Sequence, residues 1–188
     1  GAGEDDSFWT WRQVMHAFVE AVTPDDLQAI SAQLYVEMLK AGYTAVAEFH
    51  YVHNDHDGRP YNQPAEMALR VAAAAGDVGI GLTLMPVLYA TGGYGNAAPN
   101  AGQRRFLGDA DDLAAILEGA ADAVAGDPNM RVGLAPHSPR HAPADQTLAC
   151  IAALDDLDRG APIHVHVAEQ EKDVDESVAH TGLRRSNG

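Results

Sequence analysis

Two histidines and a glutamate near the end of the chain have the types and spacing that metal-assisted hydrolysis requires. His164 and His166 alternate with aliphatic residues in the apolar segment 161–168, and Glu169 follows. Alternation along a strand places both imidazoles on one face. Imidazole is a usual zinc ligand, and a carboxylate three residues further on can serve as a proton shuttle. The spacing fits His166 either as a metal ligand or as a hydrogen-bonded core histidine, and it favours the core role for His164.

Polar side chains also follow other apolar segments. His137 and Arg140 come directly after residues 131–136, and a cluster rich in His and Asp, residues 50–57, follows residues 44–51. The planar guanidinium of Arg140 suits a carboxylate, and His137 could bind the same ligand. An arginine that caps a surface loop explains the pattern at least as well. The cluster at 50–57 could bind a metal ion or form a solvated loop.

Two further residues bear on the chemistry. Arg12 follows two tryptophans, an unusual setting for a surface arginine, although simple helix packing would also account for it. Cys150 is the single cysteine, so no internal disulfide can form, and its apolar helical surroundings indicate a core residue. No Gly-x-Ser-x-Gly motif is present. A nucleophilic serine or cysteine mechanism is therefore disfavoured.

The elements that position these residues alternate regularly between strand and helix. Apolar periodicity and capping residues predict helices over 9–22, 24–42, 64–75, 109–125, 144–157 and 169–179, and strands over 44–51, 79–90, 131–136 and 161–168. This alternation is typical of βα units in a parallel sheet. In the last strand the aliphatic face, Ile163, Val165 and Val167, is expected to pack on helices.

Two α/β architectures fit this order: a doubly wound open sheet and part of a (β/α)8 TIM barrel. No glycine-rich phosphate-binding turn follows any strand, which disfavours the nucleotide-binding form of the open sheet. Polar residues at successive strand ends are typical of a barrel, whose active site lies there. There are too few strands to close a barrel. We therefore expect residues 1–188 to form a single partial barrel domain, about half of a barrel.

Charge and hydropathy restrict the partners. The chain of 188 residues carries 12 Lys and Arg against 27 Asp and Glu, a net charge of −15. Such a chain is a poor partner for nucleic acid or an anionic membrane, and an anionic substrate would need particular arginines. The longest apolar stretch, about residues 79–90, is too short to span a bilayer. With no recognisable secretion signal, we expect a cytoplasmic protein.

Four motifs, in order, resemble one enzyme family. They lie at residues 6–12 (DSFWTWR), 47–51 (AEFHY), 134–138 (LAPHS) and 164–170 (HVHVAEQ). Over nearly the whole chain, to about Gly182, the sequence resembles the formimidoylglutamate deiminases of the amidohydrolase superfamily. The resemblance implies a barrel with a small β-sandwich, one zinc ion per active site and a homodimer. It also implies conversion of N-formimino-L-glutamate and water to N-formyl-L-glutamate and ammonia in histidine degradation.

By the same resemblance, His166 corresponds to a zinc ligand and Glu169 to the catalytic acid and base. Arg12, Tyr51, His137 and Arg140 correspond to substrate-binding positions. The remaining zinc ligands of the family, a His-x-His pair, a later His and an Asp, would lie before Gly1 and after Gly188, as would the first and last strands. We therefore expect a fragment that is inactive alone and aggregates through exposed strand edges.

Two alternatives remain from the sequence. A related amidohydrolase could act on a nucleobase-like ring, although a neutral ring would not need both Arg12 and Arg140 to hold carboxylates. A non-catalytic α/β module could instead bind a metal ion or an anion through the loop from His50 to His56. This second alternative predicts zinc binding by the isolated chain.

Overall fold

A computed structural model describes residues 8–167 and 171–182, which alternate between helices and parallel strands. The helices are α1 (Phe8–Ala21), α2 (Pro24–Lys40), α3 (Glu66–Val78), α4 (Ala110–Val124), α5 (Ala144–Leu157) and α6 (Glu171–Thr181). The strands are β1 (Ala45–His50), β2 (Gly81–Leu88), β3 (Met130–Val132) and β4 (Ala135–Pro136), and a single 3₁₀ turn spans Ala101–Gln103. None of the helices within these residues has the length and apolarity needed to cross a membrane.

Local capping interactions define where α2 and α4 begin. The Thr23 hydroxyl accepts a hydrogen bond from the Asp26 backbone N–H, and the Asp26 carboxylate accepts one from the Thr23 N–H, both at 3.1 Å. Asp109 and Asp112 form the equivalent reciprocal pair at the start of α4. These bonds satisfy N–H groups that have no partner within the helix. The starts of both helices therefore follow from residues adjacent in sequence.

The strands form a parallel sheet in the order β1-β2-β3, with β4 also paired to β2. The register runs from Ala45 opposite Gly81 to His50 opposite Pro86, and Leu82 lies opposite Met130. A further parallel bridge joins Leu134 to Ile163. All strand carboxyl ends therefore lie at one edge, as the predicted barrel requires.

Both faces of β2 are buried, which explains its continuous apolar sequence. Leu82, Leu84 and Leu88 belong to the main core between the sheet and the helices. Met85 and Val87 point to the other face, where a smaller cluster includes Phe49 and Tyr51. The face that carries the aromatic residues is the one that leads to the candidate site.

A buried arginine connects α1 to the loop after β1. Arg105 is 1% exposed, and its guanidinium donates to the backbone carbonyls of Val19, Val22 and Asn54. Its own carbonyl accepts hydrogen bonds from the backbone N–H groups of His53 and Asn54. Arg105 thus satisfies carbonyl groups at the end of α1, which have no partner within the helix.

Three details of the predicted elements are wrong. The expected strand at 131–136 is divided into β3 and β4. The expected strand at 79–90 starts later, because Gly79 ends α3 with a positive φ of 80°. Residues 161–167 form only the bridge at Ile163, although the backbone N–H of His166 still donates to the carbonyl of His137.

The aliphatic side chains of this last segment do not pack on helices as expected. Ile163, Val165 and Val167 are 44 to 45% exposed. Ile163 and Val165 line a largely apolar cavity of about 720 Å³, and Leu148 of α5 and Thr181 of α6 lie on its walls. The described helices leave this groove open, so the aliphatic face remains partly exposed.

Candidate active site

Four ring side chains meet at the carboxyl edge of the sheet. The rings of Phe49 and His166 stack with centroids 4.4 Å apart, and His137 lies 5.0 Å from His166. Tyr51 contacts the same His137 at a centroid distance of 6.0 Å. The structure therefore brings together three residues predicted from sequence, Tyr51, His137 and His166. They follow β1, β4 and the bridge at Ile163, which are far apart along the chain.

Arg140 lies in the loop after β4 and is held by two polar side chains. Its Nη1 forms an ion pair with Asp173 of α6, and the two side chains are only 13% and 6% exposed. Its Nε donates to Nε2 of His141 at 2.8 Å. Arg140 is thus a largely enclosed, charge-paired residue, and the interpretation of it as a loop cap on the surface is wrong.

His141 belongs to a hydrogen-bond chain that sequence analysis missed. Gln103 Nε2 lies 2.6 Å from the Tyr89 hydroxyl, which lies 3.1 Å from His141 Nε2. Because arginine only donates, Nε2 of His141 must be an unprotonated acceptor. The ring proton is then on Nδ1, which donates to the carbonyl of Thr91 at 2.8 Å.

These contacts orient every member of the chain. The Tyr89 hydroxyl donates to His141 and accepts from Gln103, and the rings of Tyr89 and His141 stack at 4.1 Å. The signal in the sequence was weak, because His141 and Gln103 lie in loops far apart along the chain. Only the adjacency of His141 to Arg140 could have drawn attention to it.

The histidine cluster after β1 is mainly structural. His50 and His53 are 5% and 4% exposed, and His53 Nε2 donates to the carbonyl of Val87 at 2.9 Å. His56 Nδ1 lies 2.6 Å from the carbonyl of Glu20. Within residues 8–167 and 171–182, no group of three His, Cys, Asp or Glu residues is arranged to hold a metal ion. The metal site expected for this cluster is therefore not found among these residues, and the solvated loop is found only in its second half, where His56 and Asp57 are exposed.

Burial makes His50 and His53 resist protonation. Desolvation is the larger cause and repulsion from His53 the smaller one, and together they lower the pKa of His50 from 6.5 to about 3. Desolvation likewise lowers the pKa of His53 to about 4, against the opposing effect of its hydrogen bond to Val87. The His50 Nε2 atom has no hydrogen-bond partner among the described residues. Both rings are therefore neutral at physiological pH.

Acid should destabilise the fold through these two histidines. Below pH 6.5 the unfolded state takes up protons that the folded state excludes until about pH 3 to 4. The free energy of unfolding should then fall by about 1.4 kcal/mol per histidine for each pH unit. Urea unfolding at pH 7 and pH 5 measures this loss, and His50→Phe should reduce it by about half. Replacing the exposed His164 with phenylalanine is the matched control. If this variant reduced the acid-induced loss as much as His50→Phe does, the loss could not be attributed to the buried histidines.

His166 fits a zinc site only as one of several ligands. A catalytic zinc ion in a protein is usually held by three side chains, and the described residues supply no such group. His166 lies three residues after the bridge at Ile163 and is half-buried, whereas His164 is exposed. Glu169 lies outside the described residues, as does the side chain of Arg12, whose backbone lies in α1. The structure thus places the His166 ring beside Phe49 and His137, and its role as a zinc ligand stays a prediction.

Comparison with known proteins decides the family. The Amidohydrolase family profile matches residues 1–186, nearly the full length. The chain belongs to the amidohydrolase family. This membership agrees with the parallel βα architecture and confirms the expected α/β class and partial barrel.

Two relatives of this amidohydrolase chain have similar sequences along almost all of it. The formimidoylglutamate deiminase of Pseudomonas aeruginosa is 47% identical over 188 residues, which cover 96% of this chain and 39% of that protein. A crystal structure of an amidohydrolase from Brucella melitensis is 45% identical with a TM-score of 0.91, over 100% of this chain and 41% of that one. The chain thus spans about two-fifths of the length of both.

A more distant structure shares the fold. The crystal structure of an adenosine deaminase from Xanthomonas campestris, which contains bound zinc, matches with a TM-score of 0.70 and 22% identity. The match covers 100% of this chain and 37% of that one. At this identity the similarity establishes the architecture alone.

Proposed function

We propose that this chain forms part of a zinc-dependent hydrolase that converts N-formimino-L-glutamate and water to N-formyl-L-glutamate and ammonia. The observation that carries the proposal is the 47% identity, over 96% of the chain, to the formimidoylglutamate deiminase of P. aeruginosa. The cluster of Tyr51, His137 and His166 at the strand ends supports it, because barrel enzymes place their active sites there. We place this reaction in histidine degradation.

An anionic substrate would depend on particular arginines in this acidic chain. The chain has a net charge of −15, so a dicarboxylate must be held by local positive groups. Arg140 supplies one, in a partly enclosed setting where charge-assisted hydrogen bonds are strong. Arg12 would supply the second. Tyr51 and His137 would both pack against the formimino group.

The proposed chemistry divides between the metal and the side chains. Zinc, when bound by His166 and ligands beyond the described residues, supplies a Lewis acid that lowers the pKa of a water molecule. Glu169 accepts a proton from that water as its oxygen bonds to the formimino carbon. Glu169 then returns that proton to the imino nitrogen, whose double bond to carbon becomes a single bond. The hydroxyl proton of the resulting adduct passes to the same nitrogen as the C–O bond becomes C=O, the C–N bond breaks, and ammonia leaves.

The test uses a chimaeric protein, in which a relative supplies the rest of the barrel. In the chimaera, residues 1–182 of this chain replace the matching segment of the P. aeruginosa deiminase, whose unmodified form is the positive control. We expect the zinc-loaded chimaera to release ammonia from N-formimino-L-glutamate but not from guanine, and the 188-residue chain alone to release none from either.

Other outcomes would favour the alternatives. Ammonia release from guanine with none from N-formimino-L-glutamate would indicate a hydrolase of nucleobase-like rings. Stoichiometric, tight zinc binding by the isolated chain would favour a non-catalytic metal-binding module, because the deiminase assignment places the other zinc ligands outside this chain.

A further inference from the structure

We propose that Asp173 and His141 are positioning residues that orient the guanidinium of Arg140 for a substrate carboxylate. This inference rests on the proposed function, since it assigns Arg140 a carboxylate to bind. Neither residue belongs to the four sequence motifs. His141 contacts Arg140 from the loop after β4, and Asp173 contacts it from α6.

The two contacts fix both the place and the plane of the guanidinium. His141 accepts from Nε, and Asp173 binds Nη1, which is a different nitrogen of the same planar group. Two anchors at separate nitrogens prevent rotation of a planar group, whereas one anchor would leave it free to turn. The long arginine side chain loses less entropy on binding a ligand when it is already held.

His141 is itself immobilised, so it can act as an anchor. Its Nδ1 donates to Thr91, its ring stacks on Tyr89, and the Tyr89 hydroxyl also reaches Nε2. Gln103 in turn donates to that hydroxyl. The chain of contacts ties Arg140 to the end of β2 and to the loop that follows it.

Asp173 links Arg140 to the segment that carries the proposed chemistry. Asp173 lies in the first turn of α6, four residues after Glu169 and seven after His166. Arg140, His141 and Asp173 line a shared cavity of about 520 Å³ between α6 and the loop after β2. The ion pair therefore joins the carboxylate-binding loop after β4 to the helix that follows the metal ligand.

A competing interpretation makes the opposite prediction. Asp173 could occupy the position of the substrate carboxylate, in which case removing its charge would strengthen substrate binding. The geometry favours positioning, because Asp173 is 6% exposed and belongs to α6, whose backbone fixes its carboxylate against Nη1 while His141 holds Nε. The direction of the change in affinity separates the two interpretations.

The experiment measures binding of glutarate, a dicarboxylate, to the zinc-loaded chimaera by calorimetry. Asp173→Asn keeps the side-chain shape but removes the charge. Asp175→Asn is the matched control, because Asp175 is exposed and lies two residues further along the same helix. We expect Asp173→Asn to weaken glutarate binding about tenfold or more, Asp175→Asn to leave it unchanged, and Asp173→Glu to restore part of the affinity.

Turnover supplies a second readout that a general structural defect would not reproduce. With N-formimino-L-glutamate, Asp173→Asn should raise KM by a similar factor while kcat changes little. Binding of butyrate, which has one carboxylate, should respond less than binding of glutarate. His141→Phe removes the ring nitrogen that accepts a hydrogen bond from Arg140 Nε. This variant should likewise raise KM and change kcat little.

The outcomes distinguish this inference from the proposed function. If the chimaera binds glutarate in an Asp173-dependent manner but releases no ammonia, the positioning role stands and the deiminase assignment falls. Equal glutarate affinity in wild type and Asp173→Asn, tighter binding in the variant, or an equal loss in Asp175→Asn would each overturn the positioning role. Absence of glutarate binding by the wild-type chimaera would overturn both.

Discussion

Replacing His166 with alanine is expected to remove zinc from the chimaera and to lower kcat/KM roughly a thousandfold or more. The reason is that His166 is the residue proposed above as a zinc ligand, and its ring lies at the carboxyl edge of the sheet. Its ring stacks on Phe49 and lies beside His137, so its orientation is set by packing before a metal binds. Metal content by mass spectrometry of the native protein, measured together with turnover, tests the prediction.

His164 supplies the control for this experiment. It is a histidine of the same segment, two residues earlier, and its side chain is exposed. His164→Ala should retain zinc and keep turnover within a few-fold of wild type. Loss of zinc from His164→Ala with retention in His166→Ala would reverse the assignment of the ligand.

Replacing Arg105 with methionine is expected to lower the free energy of unfolding by about 3 to 5 kcal/mol. Methionine fills a similar volume but donates no hydrogen bond, so the carbonyls of Val19, Val22 and Asn54 would lose their bonds in a buried environment. Arg105 is also among the largest fully buried side chains. Urea-induced unfolding of the chimaera, followed by circular dichroism, measures the loss.

Arg59 is the matched arginine for this comparison. Its side chain is 77% exposed, and its ion pair with Asp57 spans 3.8 Å. Exposed pairs of this kind contribute little, so Arg59→Met should change the free energy of unfolding by less than about 0.5 kcal/mol. Similar losses of unfolding free energy in the two variants would show that the buried hydrogen bonds of Arg105 are not the cause of its contribution to stability.

Much of the site was predictable because it lies at strand ends. Once a segment is recognised as a parallel strand, its carboxyl end must lie at the same edge as those of its neighbours. Tyr51, His137 and His166 could therefore be grouped from their positions in the sequence. The arrangement of their rings around Phe49 confirms that grouping. The catalytic, binding and metal-ligand roles of all the site residues stay predictions, and the side chains of Arg12 and Glu169 also lie outside the described residues.

The partners of Arg140 could not be predicted in the same way. Asp173 lies 33 residues further along the chain, in a helix whose acidic residues look alike in the sequence. Which carboxylate faces Arg140 depends on the rotation and docking of α6. The burial of His50 and His53 has a similar origin, because a polar cluster becomes enclosed only when the loop around Asn54 packs on Arg105.

The sequence by itself determined the order of the elements, the starts of α2 and α4 and the parallel arrangement of the strands. These depend on local capping bonds, on periodicity and on the βα alternation, all of which act between nearby residues. Only the tertiary structure decided that Arg140 is held between His141 and Asp173, and that Ile163, Val165 and Val167 stay partly exposed. Those outcomes depend on contacts between distant segments, whose geometry is set by how the helices pack on the sheet.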